Sequence, residues 1–194
     1  VIFTTDNIII TQILGPAEVT PYNIAHKYFN IVIMIFTIIL TPFWSAFTEA
    51  YAKNDLKWIK NSIKKLVNIW LLLLIGVIFL LVISNKFYLL WVGDKVKVPF
   101  MLSAFMGLYA IISTWNNIFA YFINGVGKIK LQMYYGIIAM LINIPVSIFF
   151  AKNLNMGSAG VILGTCVSLM IGSILAPLQS LKIIKGNAKG IWNK

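Results

Sequence analysis

Six blocks of mostly apolar residues, separated by short loops that carry lysine, constrain this chain more than any other feature. A helix that crosses a bilayer needs about 20 mostly apolar residues. The blocks fall at about 24–48, 66–84, 100–124, 131–151 and 159–181, with a shorter one at 1–14 that ends at Gly15-Pro16. A kink is expected near Pro42, whose ring cannot donate to the helix. The pattern predicts an all-α, polytopic membrane protein. Composition agrees, with 60% hydrophobic residues, 11% charged residues and a mean hydropathy of +0.88; an ordinary soluble domain is about one quarter charged. Because Val1 already lies inside an apolar block, with no initiator Met or signal peptide before it, the chain reads as a piece lacking its N-terminal part.

The formal charge is +11, and all 16 basic residues are lysines. They flank apolar blocks, so the expected partner is an anionic membrane surface and not nucleic acid. The loops 49–65 and 125–130 and the tail 182–194 hold 11 lysines, and the loops on the other side hold 5. Lysine-rich loops stay in the cytoplasm, which predicts a cytoplasmic C-terminus and a first block running outward. Between the second and third blocks, Leu56, Ile59, Ile63 and Leu66 share one helical face, and Lys57, Lys60 and Lys64 share another. Residues 55–65 are therefore expected to form an amphipathic helix in the membrane interface, with Trp58 at the boundary.

Polar residues inside the blocks should face protein or water. The second block carries Thr37, Thr41, Ser45 and Thr48 on one stripe, and the fourth carries Ser103, Ser113, Asn117, Tyr121 and Asn124 on another. Asn116 and Asn117 fall near mid-membrane, where two amides are costly. The first block has Thr4, Asn7 and Thr11 on a face beside Asp6, an intramembrane acid, and the fifth has Asn143 and Ser147 around Pro145. Such stripes serve either as helix–helix hydrogen bonds, worth about 1 kcal/mol each, or as the wall of a hydrated cavity. In the sixth block Gly160, Gly164, Ser168, Gly172 and Ala176 recur at every fourth position, a ridge that lets a neighbouring helix approach closely.

Catalytic chemistry is sparse. No glycine loop for nucleotide phosphates is present, so no cofactor is expected. His26 is the one histidine and Cys166 the one cysteine, which leaves no metal cluster and makes Cys166 a packing residue. The acids Asp6, Glu18, Glu49, Asp55 and Asp94 are scattered. The chain is expected to transport and not to catalyse.

Several stretches carry a resemblance. Thr5-Asp6-Asn7-Ile8-Ile9-Ile10 leads to Leu14-Gly15-Pro16, Val19, Tyr22-Asn23-Ile24-Ala25 and Lys27; Thr41-Pro42-Phe43-Trp44-Ser45-Ala46 leads to Glu49-Ala50-Tyr51-Ala52-Lys53-Asn54-Asp55 and Trp58. The chain resembles the second half of O-antigen and capsular polysaccharide flippases, in the polysaccharide transport branch of the multidrug/oligosaccharidyl-lipid/polysaccharide (MATE-like) exporter superfamily. The resemblance implies a two-lobed transporter in which residues 1–181 form the C-terminal six-helix lobe and 182–194 a cytoplasmic basic tail. It implies a bacterial inner-membrane protein that translocates undecaprenyl-diphosphate-linked oligosaccharide by alternating access, working with an N-terminal lobe and with polysaccharide polymerase machinery. On that basis Lys27 is the candidate for the anionic diphosphate, Asn116, Asn117 and Asn124 for sugar hydroxyls, and Asp6 for coupling to an ion gradient. The alternatives are a drug or metabolite exporter of the multidrug branch and a membrane-embedded glycan-modifying enzyme.

Overall fold

The computed structural model describes residues 2–194, with side chains from Thr4 onward; Val1, the expected start of the first block, lies outside the described residues. Among the described residues six α-helices follow one another: α1 (Ile2–Ile13), α2 (Val19–Ala52), α3 (Leu56–Val92), α4 (Phe100–Gly125), α5 (Lys130–Ile148) and α6 (Gly157–Ile184). No strand occurs among the described residues. Among the described residues, four stretches are long and apolar enough to cross a membrane: Pro16–Ala52, Leu56–Val92, Lys130–Asn153 and Gly157–Ile184. The protein is an all-α, multi-pass membrane protein.

Antiparallel succession gives the bundle two ends. One carries the links 14–18, 93–99 and 154–156, and the other carries 53–55, 126–129 and the chain's last residues. At the first end the Ser158 hydroxyl donates to the Glu18 carboxylate at 3.1 Å. At the second, the tail folds back: the Lys130 amide donates to the Lys194 carbonyl, Gln179 Nε2 donates to the Lys128 and Trp192 carbonyls, and the Lys182 ammonium stands 3.7 Å over the Trp192 ring.

The central helix is α4, packed between α2, α3 and α6. Its face Leu102, Met106, Ala110, Ile118 and Phe122 is fully buried. Trp115 Nε1 donates to the Ser173 carbonyl and Asn116 Nδ2 to the Leu169 carbonyl, which ties α4 to α6 with two indole and amide donors. The outermost helix is α3, which leaves Leu72, Ile75, Ile78, Phe79, Val82 and Leu90 more than half exposed, as a lipid-facing helix does.

Two local findings refine the sequence expectations. Residues 56–65 are the first turns of α3, continuous with its apolar stretch, because no Gly or Pro separates them and the Asp55 carboxylate caps the Trp58 amide at 2.9 Å. Ile59, Ile63 and Leu66 pack into the bundle with Phe47 and Phe122, while Lys57, Lys60 and Lys64 remain exposed. In α2 the helix continues through Pro42, and the Ser45 hydroxyl donates to the Pro42 carbonyl at 3.3 Å.

Candidate functional site

The most enclosed polar cluster is centred on Asp6. In α1, Asp6, Ile9, Ile10 and Ile13 lie on one helical face, and this face enters the bundle. Asp6 is 1% exposed. The Tyr22 hydroxyl, on the first turn of α2, donates to Asp6 Oδ2 at 2.7 Å. The Thr165 hydroxyl on α6 lies 3.1 Å from both carboxylate oxygens and donates to them. Asn143 Nδ2 on α5 donates to Thr165 Oγ1 at 2.8 Å, which fixes the direction of the hydroxyl. Four helices thus converge on one carboxyl group. Among the described residues no lysine pairs with it; the ion pair they form is Lys53–Glu49, exposed at the end of α2.

Two further rings adjoin the cluster through Tyr22. His26 stacks on Tyr22 with ring centroids 6.5 Å apart and an interplanar angle of 14°, and Tyr109 of α4 lies 6.1 Å from His26. Cys166, next to Thr165, is buried and directs its thiol toward the Phe105 carbonyl. An ionisable group enclosed in a membrane bundle is costly to maintain and marks a functional position by default.

The seam between α5 and α6 has two halves. A Cβ on Gly160 would come within 2.6 Å of the Ala151 amide nitrogen, and one on Gly164 within 2.6 Å of Ser147 Cα. Here the small residues of α6 bring the two backbones into contact, and the Ser147 hydroxyl donates to the Val161 carbonyl at 3.1 Å. Beyond Asn143 the helices part around a cavity of about 350 Å³, lined by Asn116, Gln132, Tyr135, Ala139, Ser168 and Gly172 among others. Pro145 stands between the closed and open halves, where its ring leaves the Leu141 carbonyl without a helical donor.

The other expected site residues do not share this enclosure. Asn116 lines the cavity, but Asn117, Asn124 and Lys27 do not. Asn124 sits one residue before the end of α4, and Lys27 is exposed on α2. The hydroxyls of the α2 stripe turn to backbone: Thr41 donates to the Thr37 carbonyl and Thr48 to the Trp44 and Gly125 carbonyls. Thr41, Ser45 and Thr48 stay exposed, beside a Trp44–Tyr121 edge-on pair at 5.7 Å. Among the described residues no group of three His, Cys, Asp or Glu could hold a metal ion.

The family model MatE matches residues 1–149. The chain belongs to the MatE family. Among curated proteins, this MatE chain is 24% identical over 189 residues to the "Putative O-antigen transporter" of Salmonella typhimurium, covering 96% of the chain and 43% of that protein. It is 22% identical over 178 residues to the "Putative O-antigen export protein" of Yersinia pseudotuberculosis, covering 88% of the chain and 39% of that protein. A third similarity is to the "Putative O-antigen transporter" of Salmonella typhi, at 22% over 175 residues, with 88% and 40% covered. The MatE chain spans about two fifths of the length of these relatives. No solved structure matches. The names of these relatives describe O-antigen transport and export.

Sequence reasoning named Asp6 and Asn116 but missed the hydroxyls that hold Asp6. In the sequence Tyr22 reads as part of a longer stretch, and Thr165 as one more small residue between Gly164 and Cys166. The visible clue was Asn143 in an apolar helix, since a buried amide must find a partner.

Proposed function

We propose that this chain forms one six-helix lobe, residues 1–181 with a cytoplasmic tail at 182–194, of a flippase in the bacterial inner membrane. The flippase translocates undecaprenyl-diphosphate-linked oligosaccharide by alternating access, with a second lobe completing the path and with polymerase machinery consuming the product. The names of the O-antigen relatives support the substrate class. The excess of lysine on the loops at one end supports the orientation, through attraction to the anionic cytoplasmic surface.

The observation that carries the mechanism is Asp6, a carboxyl group enclosed at the crossing of α1, α2 and α6, with α5 bound through Asn143. In this reading Asp6 couples transport to a proton. The Tyr22 and Thr165 hydroxyls aim hydrogens at the carboxylate, whereas a metal ion would require their lone pairs to turn toward it. Asp6 faces the titratable groups Tyr22 from α2, Tyr109 from α4 and Cys166 from α6; His26 stacks on Tyr22, and α5 contributes the neutral Asn143. Gain or loss of one proton changes how strongly the carboxyl holds these helices, and that bias is what rocks one lobe against another.

The substrate wall in this reading is the exposed α2–α4 face. Trp44 and Tyr121 offer rings to sugars, and Asn117 and Asn124 offer amides to their hydroxyls. Asn116 contributes from the adjoining cavity, and Lys27, exposed on α2, meets the diphosphate. The test is Asp6→Asn in the full-length protein reconstituted with lipid-linked oligosaccharide. Asn keeps shape and hydrogen bonding but cannot exchange a proton. Transport should become independent of an imposed pH gradient; gradient-driven transport at the wild-type rate would refute the assignment.

A further inference from the structure

We propose that the groove between α2 and α3 binds one phospholipid with an anionic headgroup, its acyl chain lying along the groove and its phosphate held at Lys65 between Asn61 and Asn68. The site faces the surrounding bilayer and is independent of what the protein transports.

The groove has a volume of about 470 Å³. It runs from Ile69 to Leu80 along α3, and Val32, Phe36 and Ile39 of α2 form its other wall. The helix rises about 16 Å over that stretch. The hydrocarbon core of a bilayer is about 30 Å thick, so one leaflet contributes about half of that. The groove is therefore as long as the reach of one acyl chain within its own leaflet.

Its floor is Gly76, which is exposed. The rest of α3 from Leu71 to Leu81 is built of large apolar residues. A glycine in a helix interior costs about 1 kcal/mol relative to alanine, and elsewhere in this chain a neighbour explains it. A Cβ on Gly107 would press on Val77 at 3.2 Å, and one on Gly160 would lie 2.6 Å from the Ala151 amide nitrogen. A Cβ on Gly76 would meet nothing within 4 Å. No helix among the described residues requires the small residue there, whereas a chain lying across α3 does.

The polar groups sit at one end of the same face. Asn61, Lys65, Asn68, Leu72, Gly76 and Phe79 follow at steps of four, three, four, four and three, which is one helical stripe. Asn61, Lys65 and Asn68 are exposed, and Lys65 lies one turn before Ile69, at the rim of the groove. The acids nearest in the chain are engaged elsewhere: Glu49 pairs with Lys53, and Asp55 caps the Trp58 amide. A phosphate at the rim meets an ammonium and two amide donors. In hydrocarbon an apolar groove gains little from burial alone, because lipid tails are as apolar as its own side chains. Any acyl chain can fill the groove, so the choice of lipid falls to the charge at Lys65.

The test uses the full-length protein purified in a mild detergent and titrated with phosphatidylglycerol or phosphatidylcholine of the same acyl chains, with bound lipids counted by native mass spectrometry. The wild type should hold phosphatidylglycerol more tightly than phosphatidylcholine. Lys65→Gln should weaken phosphatidylglycerol binding about fivefold, the worth of one lysine at an anionic surface. Lys60→Gln should leave it unchanged, since Lys60 lies about 140° around the helix from Lys65. Gly76→Trp fills the floor and should remove one bound phosphatidylglycerol. Should the Trp variant not fold, the two lysine variants decide. Equal binding of the two lipids, equal effects of the two lysine variants, or an unchanged phosphatidylglycerol count in folded Gly76→Trp overturns the site. So does a Gly76→Trp-sensitive preference for undecaprenyl phosphate over phosphatidylglycerol, which would give the groove to the transported lipid.

Discussion

Thr165 donates to both oxygens of Asp6 at 3.1 Å across the α1–α6 crossing, although the two residues are 159 positions apart in the chain. The same hydroxyl accepts from Asn143, so one small side chain joins three helices. Thr165→Val keeps the shape and removes the hydroxyl. It strands the Asn143 amide and one side of the carboxylate, and should lower stability by about 1–3 kcal/mol. Thermal unfolding of the purified full-length protein in detergent checks this. An unchanged midpoint would mean that the network holds nothing together.

Tyr22→Phe removes the shortest bond to Asp6, at 2.7 Å, and leaves the ring stacked on His26. The expected loss is again about 1–3 kcal/mol. With Thr165→Val the two effects should be non-additive, because the hydroxyls share one acceptor. A double-mutant cycle by thermal unfolding measures the coupling; strict additivity contradicts a shared site.

The seam gives a steric prediction. Gly164→Leu must push α5 away, since even a Cβ would overlap Ser147, and overpacking of this kind costs about 1–3 kcal/mol or more. Gly76→Leu on α3 meets open space and should stay within about 0.5 kcal/mol. Folded yield after detergent extraction separates the two. Equal tolerance would mean that α5 and α6 do not close as described.

The start of α3 separates packing from surface binding. Ile59 is fully buried against the bundle, and Lys60 beside it is exposed. Ile59→Asp should cost about 3 kcal/mol or more, as an unpaired buried charge does, and Lys60→Ala within about 0.5 kcal/mol. A helix that merely rests on the lipid surface would give the two substitutions similar, small effects on thermal stability.

Much of the fold is legible because the bilayer imposes it. Long apolar blocks must be helices when no water can satisfy the backbone, and the four-residue repeat from Gly160 to Gly172 announced a close neighbour. That neighbour turned out to be α5, which periodicity does not specify. Residues 56–65 show the limit of a local reading: an amphipathic stretch has the same pattern whether its apolar face meets lipid or Phe47 and Phe122. The site was legible in its costly members, Asp6 and Asn116, which a membrane helix does not carry idly. The Asp6 partners Tyr22 and Thr165 were not, because a hydroxyl side chain becomes informative only when folding brings it to an acceptor.

Substituting both α4 amides with leucine, Asn116→Leu with Asn117→Leu, removes one donor to the Leu169 carbonyl and two polar groups from the proposed path. Transport should fall while expression stays normal. Unchanged transport at normal expression contradicts a role for these amides.

The most direct test of the flippase reading is deletion of the full-length gene in its host, followed by measurement of surface polysaccharide and of lipid-linked repeat units on the cytoplasmic face. The account predicts loss of the polysaccharide with accumulation of the repeat units, restored by the intact gene. Normal polysaccharide in a host without a redundant copy, together with altered drug sensitivity, would contradict it and point to a drug exporter.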